Sequence, residues 1–497
     1  MRAFYALILL LSATLTLPAQ VVQRGCGTSE VSEWLIRYQN GEVEVPQASG
    51  NETQYLPLRI IIVGDDNGGG RITPTTILNT LKTVNFDFDS LGKQFYIDGE
   101  MEFLDNSGYY DHEFAVGRQM MDRNNKNGTI NVYFVGNPAG ACGYYSGSRD
   151  AIAMGNNCTG SGDRTWSHEL GHFFTLPHTF RGWDGEAIDE QDFNQAAPRF
   201  INGRQVEKAD GSNCTSAGDG FCDTPADYLA DRWACNGDGF YADTLTDPDT
   251  VKFLVPAWNI MSYAADRCVS AFSGEQKAAM RANIATERRD LERGFTPDPR
   301  APLASEVDLI MPALNETLPY YNTVDLSWTS AEYADFYIVQ LNTSDNFNGA
   351  VVGTYITSDT ALTINQEFRR NTRYWWRVRP VDQYNIESDY TATRRFKTGR
   401  ELVSTIDPEF DAALTVSPNP VGNGQQLRVH AGDLSFSGGL DLHLLDATGR
   451  TLVRHNGIQV TGGRFTEYVD IDNLSPGVYF LRMLIADRMV TRRVMVR

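Results

Sequence analysis

No stretch of this 497-residue chain reaches the ~18 consecutive apolar residues of a membrane-spanning helix, so no transmembrane segment is expected. Low-complexity tracts are also missing, which leaves ordinary globular protein as the class. Basic residues are in deficit, with 43 Lys and Arg against 63 Asp and Glu and a formal net charge of -20. Phosphate binding needs clustered cations, so nucleic acid is excluded as an expected partner. Histidine is scarce at seven residues, which makes any clustering of it informative. Cysteine also numbers seven: six fall between Cys142 and Cys268, and Cys26 stands alone near the N-terminus. An odd thiol in an exported chain needs a reason.

The chain is long enough for about three domains. Arg2, the apolar run from Ala6 to Leu17 and the small residue Ala19 read as a signal peptide over residues 1–19. Residues 20–50 are polar with little periodicity and read as a propeptide. Residues 51–296 mix helix and strand patterns. A buried strand at 58–63 ends at Gly64, and Thr73-Pro74 opens a helix carrying Ile77, Leu81, Val84 and Phe88. Strands at 95–103, 130–135 and 151–154 precede a helix at 164–174, which predicts an α/β (α+β) domain with a mostly parallel sheet. A Pro-rich linker at 296–302 leads to two all-β sandwich segments, 305–399 and 413–497.

The chemistry lies in Trp166-Ser167-His168-Glu169-Leu170-Gly171-His172-Phe173-Phe174-Thr175-Leu176-Pro177-His178. Residues four apart share a helix face, so His168 and His172 offer two imidazoles to one ion. Glu169 lies about 100° round the helix, placed to handle a water rather than to ligate. Leu176-Pro177 stops the helix and turns the chain, bringing His178 back as a third nitrogen. Three histidines with a fourth position left open are the donor set of a catalytic zinc rather than a structural one.

HExxH followed after five residues by a third His resembles the metzincin metalloproteases, which implies a secreted zinc endopeptidase acting on proteins or peptides. Thr175 stands where that pattern has Gly, which implies a different turn or some strain. Asn259-Ile260-Met261-Ser262-Tyr263 resembles the methionine turn, with Met261 as an apolar cushion under the metal and Tyr263 supporting the oxyanion. Together with Gly218-Asp219-Gly220-Phe221-Cys222-Asp223-Thr224-Pro225, these phrases resemble the pappalysin family, in particular its cytophagalysin branch. That family implies structural calcium, with Asp219, Asp223 and Thr224 as candidate ligands. The favoured disulfides are Cys142–Cys158, Cys214–Cys222 and Cys235–Cys268, with Cys214–Cys235 and Cys222–Cys268 as the open alternative. Arg24-Gly25-Cys26-Gly27-Thr28 resembles a cysteine-switch segment, so Cys26 would cap the zinc in a latent zymogen, Glu30 and Glu33 being the alternatives.

Trp328 and the Asn371-Thr372-Arg373-Tyr374 phrase resemble a fibronectin type III sandwich. The Ser417-Pro418-Asn419-Pro420 opening and the Leu474-to-Arg482 closing phrase resemble a type IX secretion sorting domain. This resemblance implies that secretion machinery as a partner and a secreted or cell-surface destination. Two rival readings remain open: a thermolysin-like site whose third ligand is Glu186 or Glu190, and a surface adhesin with an inert protease domain.

Overall fold

The computed structural model describes every residue except 1–23, 29–30, 47–52, 189–190, 293–296, 299, 348–350, 401–407, 423, 435–437, 447–449, 473 and 486–487. The expected signal peptide, Glu30 and Glu190 lie outside the described residues.

The described residues before position 50 contribute β1 (Arg24–Cys26) and α1 (Glu33–Gln39). Then come β2 (Gln54–Gly64), α2 (Pro74–Asp89), β3 (Lys93–Ile97), β4 (Glu102–Asp105) and α3 (Phe114–Asn124). Next are β5 (Ile130–Val135), β6 (Ala141–Ser146), β7 (Ala151–Gly155), α4 (Thr165–Phe173) and α5 (Gly274–Thr286). The sheet order is β1-β6-β7-β5-β2-β3, with β4 also on β2. All of these pairs are parallel except β6 with β7, so β6 and its parallel neighbour β1 run against the other strands of the sheet.

Strand periodicity decides which face each residue serves. Ile60 and Ile62 join the core beneath α2 and α4, whereas Ile61 and Val63 pack with Met120 and Met121 of α3 on the other face. A strand covered on both sides is apolar throughout, which is why 58–63 reads as a continuous run. Helix α2 starts where expected: the Thr73 side chain accepts from Thr76 N–H, and Pro74 fills the first turn. The single strand expected at 95–103 is instead two, β3 and β4, because Gly99 turns the chain at φ +93°. Helices α1, α3 and α5 and strand β6 were not anticipated.

Two further sandwiches follow. In the first, Leu309–Met311, Thr323–Trp328 and Ala361–Asn365 face a sheet of Gly353–Thr357, Phe336–Asn342, Arg373–Val381 and Arg394–Lys397. Trp328 and Trp376 fill its core, and the Tyr374 hydroxyl accepts from Arg369 N–H at 2.9 Å, forming the expected corner. The second, from Leu414 on, pairs a three-stranded and a four-stranded sheet around Leu442, Val429 and Leu481. Asn419 pins its opening phrase to the terminal strand, donating to Arg493 O at 2.7 Å and accepting from Met495 N–H at 2.9 Å.

Candidate metal centre

Every residue of α4 is buried, so its polar side chains need partners inside the protein. The three histidines find them in one way. His168 Nδ1 donates to Ile260 O, His172 Nδ1 to Leu176 O and His178 Nδ1 to Asp184 Oδ1, each at 2.7 Å. A carbonyl or carboxylate only accepts, so the proton sits on Nδ1 and the Nε2 lone pairs are free. Those lone pairs converge: His172 Nε2 lies 3.2 Å from His168 Nε2 and 3.1 Å from His178 Nε2.

Three lone pairs this close repel unless a cation sits among them. A tetrahedral zinc with Zn–N near 2.0–2.1 Å sets its nitrogens about 3.3 Å apart, so the donor set fits the ion. Burial first, then the neighbouring imidazoles, hold His168 down to about 3 and His172 well below its ordinary value. Both rings are therefore kept neutral, the form that ligates. Among the described residues, Cys26, His168, His172 and His178 are the one group of possible metal ligands this tight, all four donor atoms lying within 4.8 Å.

The turn after α4 delivers the third histidine. Leu176 N–H donates to Gly171 O and Thr175 N–H to His172 O, both at 2.9 Å, which closes the helix. Thr175 takes φ +90°, the left-handed region that suits Gly, so the strain expected from Thr at this position is present. Met261 is fully buried against α4. Its Sδ would stand only 2.4 Å from a Cβ on Gly171, so the missing side chain at 171 is what admits it.

Glu169 is fully buried beside the ligands, and burial pushes its carboxyl up to about 8. Its Oε2 accepts from the Cys26 thiol and the Thr28 hydroxyl, each at 3.4 Å, while Oε1 has no partner. Cys26 is the free cysteine, its thiol raised well above the ordinary value by burial and then by Glu169. The Tyr263 hydroxyl donates to Cys26 O at 2.8 Å, and its ring lies 4.9 Å from that of His178. Beside Tyr263 a cavity opens, lined by Arg164, His168, Arg232, Ile260 and Asp266.

The six remaining cysteines are joined as Cys142–Cys158, Cys214–Cys222 and Cys235–Cys268. The expected calcium trio is divided. Asp219 and Thr224 are buried together, Thr224 Oγ1 donating to both Asp219 oxygens at 2.9 and 3.0 Å. Asp223 is exposed and spent on the start of α5, accepting from Ser273 Oγ at 2.6 Å and Glu275 N–H at 2.8 Å. Glu186, the described thermolysin-like candidate, is exposed and accepts from Asn202 at 3.1 Å. Glu33 lies exposed at the start of α1. Asp184 and Thr28 escaped the sequence reading, since nothing about a lone Asp or Thr announces a partner brought in by folding.

Residues 415–497 match the family described as the secretion system C-terminal sorting domain. An extracellular metalloprotease of Podospora anserina is 27% identical over 292 residues, covering 51% of this chain and 86% of that protein. Another, from Pyricularia oryzae, is 25% identical over 295 residues, covering 53% and 89%. Among solved structures, an Fn3-like protein from Clostridium thermocellum is 21% identical and covers 21% of this chain and 97% of its own, with a TM-score of 0.16. A score that low carries no argument. With a C-terminal sorting domain and extracellular relatives, the chain is secreted or held at the cell surface.

Proposed function

We propose that the chain is a zinc metalloendopeptidase of the metzincin type, pappalysin-like, held here in a latent precursor form. The observation that carries this reading is the convergence of three Nε2 lone pairs beside the buried carboxyl of Glu169. Similarity to extracellular metalloproteases supports the reaction class. Zinc, when bound by His168, His172 and His178, would supply Lewis acidity and lower the pKa of a water toward ~7. Glu169 takes the proton of the attacking water and passes it to the leaving amine. Its raised affinity for a proton suits that shuttle. Tyr263, once freed from Cys26 O, turns its hydroxyl to the oxyanion. Met261 holds the ligand rings from below.

Cys26 is the cap of the precursor: its sulfur lies among the ligands, and a thiolate is a strong zinc donor. The division we propose is signal peptide 1–19, propeptide 20–50, catalytic domain 51–296, fibronectin type III-like domain 305–399 and type IX sorting domain 413–497. Calcium is proposed as a structural ion at Asp219 and Thr224, with Asp223 helping only if α5 releases it.

The test separates binding from turnover. Set against Cys26→Ala protein, which lacks the cap, Cys26→Ala/Glu169→Ala protein should keep its zinc while hydrolysis falls at least about 100-fold, and chelation should abolish activity in Cys26→Ala protein. Full activity in Cys26→Ala/Glu169→Ala protein would sink the mechanism.

A further inference from the structure

We infer that Phe114 and Tyr144 form a wall that selects peptide substrates with glycine at one position of the cleft, the place Gly27 holds in this chain; this rests on the peptidase reading above.

Strand β1 lies on the outer edge of β6, with Cys26 opposite Gly143. Gly27 N–H donates to Gly143 O at 2.8 Å. The Thr28 hydroxyl accepts from Tyr145 N–H at 2.8 Å. These are the edge groups that any extended peptide reaching the metal would use. Side chains of an extended chain alternate between faces. When one side chain points at the metal, as that of Cys26 does, its neighbour points away from it. At Gly27 that direction is blocked: a Cβ would stand 2.8 Å from Phe114 Cζ and 3.2 Å from Tyr144 Cβ. The alternation holds in either chain direction, so direction decides only which side of the cut the glycine lies on.

The Tyr144 side of the wall cannot easily retreat. Tyr144 is buried, and its hydroxyl donates to His112 Nε2 at 3.0 Å while His112 Nδ1 donates to Tyr109 O at 2.6 Å. Helix α3 presses on the same hydroxyl, since a Cβ on Gly117 would fall 2.0 Å from it. Phe114, in the first turn of α3, packs edge-on against Tyr144 with centroids 5.0 Å apart. Phe114 is itself 38% exposed, so the resistance of the wall comes from Tyr144 and from this ring contact.

The experiment digests a peptide library with full-length Cys26→Ala protein, with and without Phe114→Ala or Phe114→Leu. Glycine within two residues of the cut should be preferred over leucine by about tenfold or more in kcat/KM. Phe114→Ala should reduce that to about threefold or less, Phe114→Leu falling between. Cleavage with no glycine preference, or a preference unmoved by Phe114→Ala, overturns this inference alone. Failure to cut any peptide overturns the peptidase reading and this inference with it. A second readout needs no turnover. Gly27→Leu in the otherwise unmodified chain should expose the Cys26 thiol to an aromatic disulfide reagent, and adding Phe114→Ala should protect it again. A thiol that stays protected in Gly27→Leu protein contradicts the wall.

Discussion

At the scale of single residues, burial sets the terms. Asp219 is fully buried, and burial raises its carboxyl to about 7; the nearby Glu207 and Asp227 are pushed to about 9 and about 6 for the same first reason. Three buried acids this perturbed gain from a cation that lets them ionise. A ligand held only by the folded state stabilises by mass action, roughly 2.7 kcal/mol at a hundred times its Kd. Calcium should therefore raise the melting temperature of the unmodified chain, and Asp219→Asn should remove that response. An unchanged melting temperature would return Asp219 and Thr224 to ordinary loop structure. Much of the centre was legible at this scale, because His168, Glu169 and His172 lie on one helix whose geometry is known in advance. His178 was legible through the Leu176-Pro177 stop. Asp184 was not, because its partnership with His178 depends on where a loop folds back. Nor were Glu207 and Asp227, which meet Asp219 only in three dimensions.

At the scale of elements, β1 is the part most closely tied to the centre. It adds one short strand to the sheet, yet three of its neighbours in space are Glu169, Tyr145 and Tyr263. On the proposed reading, the thiol beside the three histidines and the Thr28 hydroxyl on Glu169 would be two separate holds on the precursor. Removing either leaves the other, so the holds should act in steps. Cys26→Ala precursor should hydrolyse peptide before any propeptide cleavage, and Thr28→Val added to it should raise that activity further. A Cys26→Ala precursor as latent as the unmodified chain would show that the thiol is not the cap. The odd cysteine drew attention to Cys26, but the sequence did not reveal the strand that presents it. A three-residue strand has no periodicity to read, and Trp34 and Leu35, which dock α1 into the core, stand in polar surroundings. Helix α3 was hidden for a similar reason: Gly117, Met120 and Met121 are its few buried residues. The capping box of Ser273 and Gln276 did mark α5, and it went unread.

At the scale of the whole molecule, the two sandwiches are attached in different ways. Phe336, Ile338, Val381 and Ile386 of the first join the same apolar core as Ile77 and Leu81 of α2. Ile97 N–H donates to Gln383 O at 3.1 Å, and the Tyr96 and Tyr384 rings lie 4.6 Å apart. That face is covered by the α/β part of the chain and is not free for adhesion. The last domain meets the first sandwich through ion pairs, Arg482 with Asp325 and Arg493 with Asp359, both at 2.6 Å. Exposed ion pairs contribute about 1 kcal/mol or less each, whereas burying one large apolar side chain contributes about 1.5–3. The expected outcome is asymmetric. Deleting residues 413–497 should leave zinc binding and peptide cleavage intact and stop surface delivery in a type IX-competent host. Ending the chain at 296 should lower the melting temperature or leave the protein insoluble. A soluble 1–296 fragment that melts as high as the full chain would contradict the shared core. Domain order was legible from composition and strand spacing, but the shared core was not. Outward-facing Phe336 and Ile338 look in sequence like any buried strand residues.

The central claim is a zinc held by three imidazoles and capped by one thiolate. Zinc-edge X-ray absorption on the full-length precursor measures that ligand set directly. The account predicts one zinc per chain, with His168, His172 and His178 as nitrogen ligands and Cys26 as the sulfur ligand. The sulfur should be lost, and the nitrogens kept, in Cys26→Ala protein. A precursor that binds no zinc, or binds it without sulfur while Cys26 is intact, would contradict it.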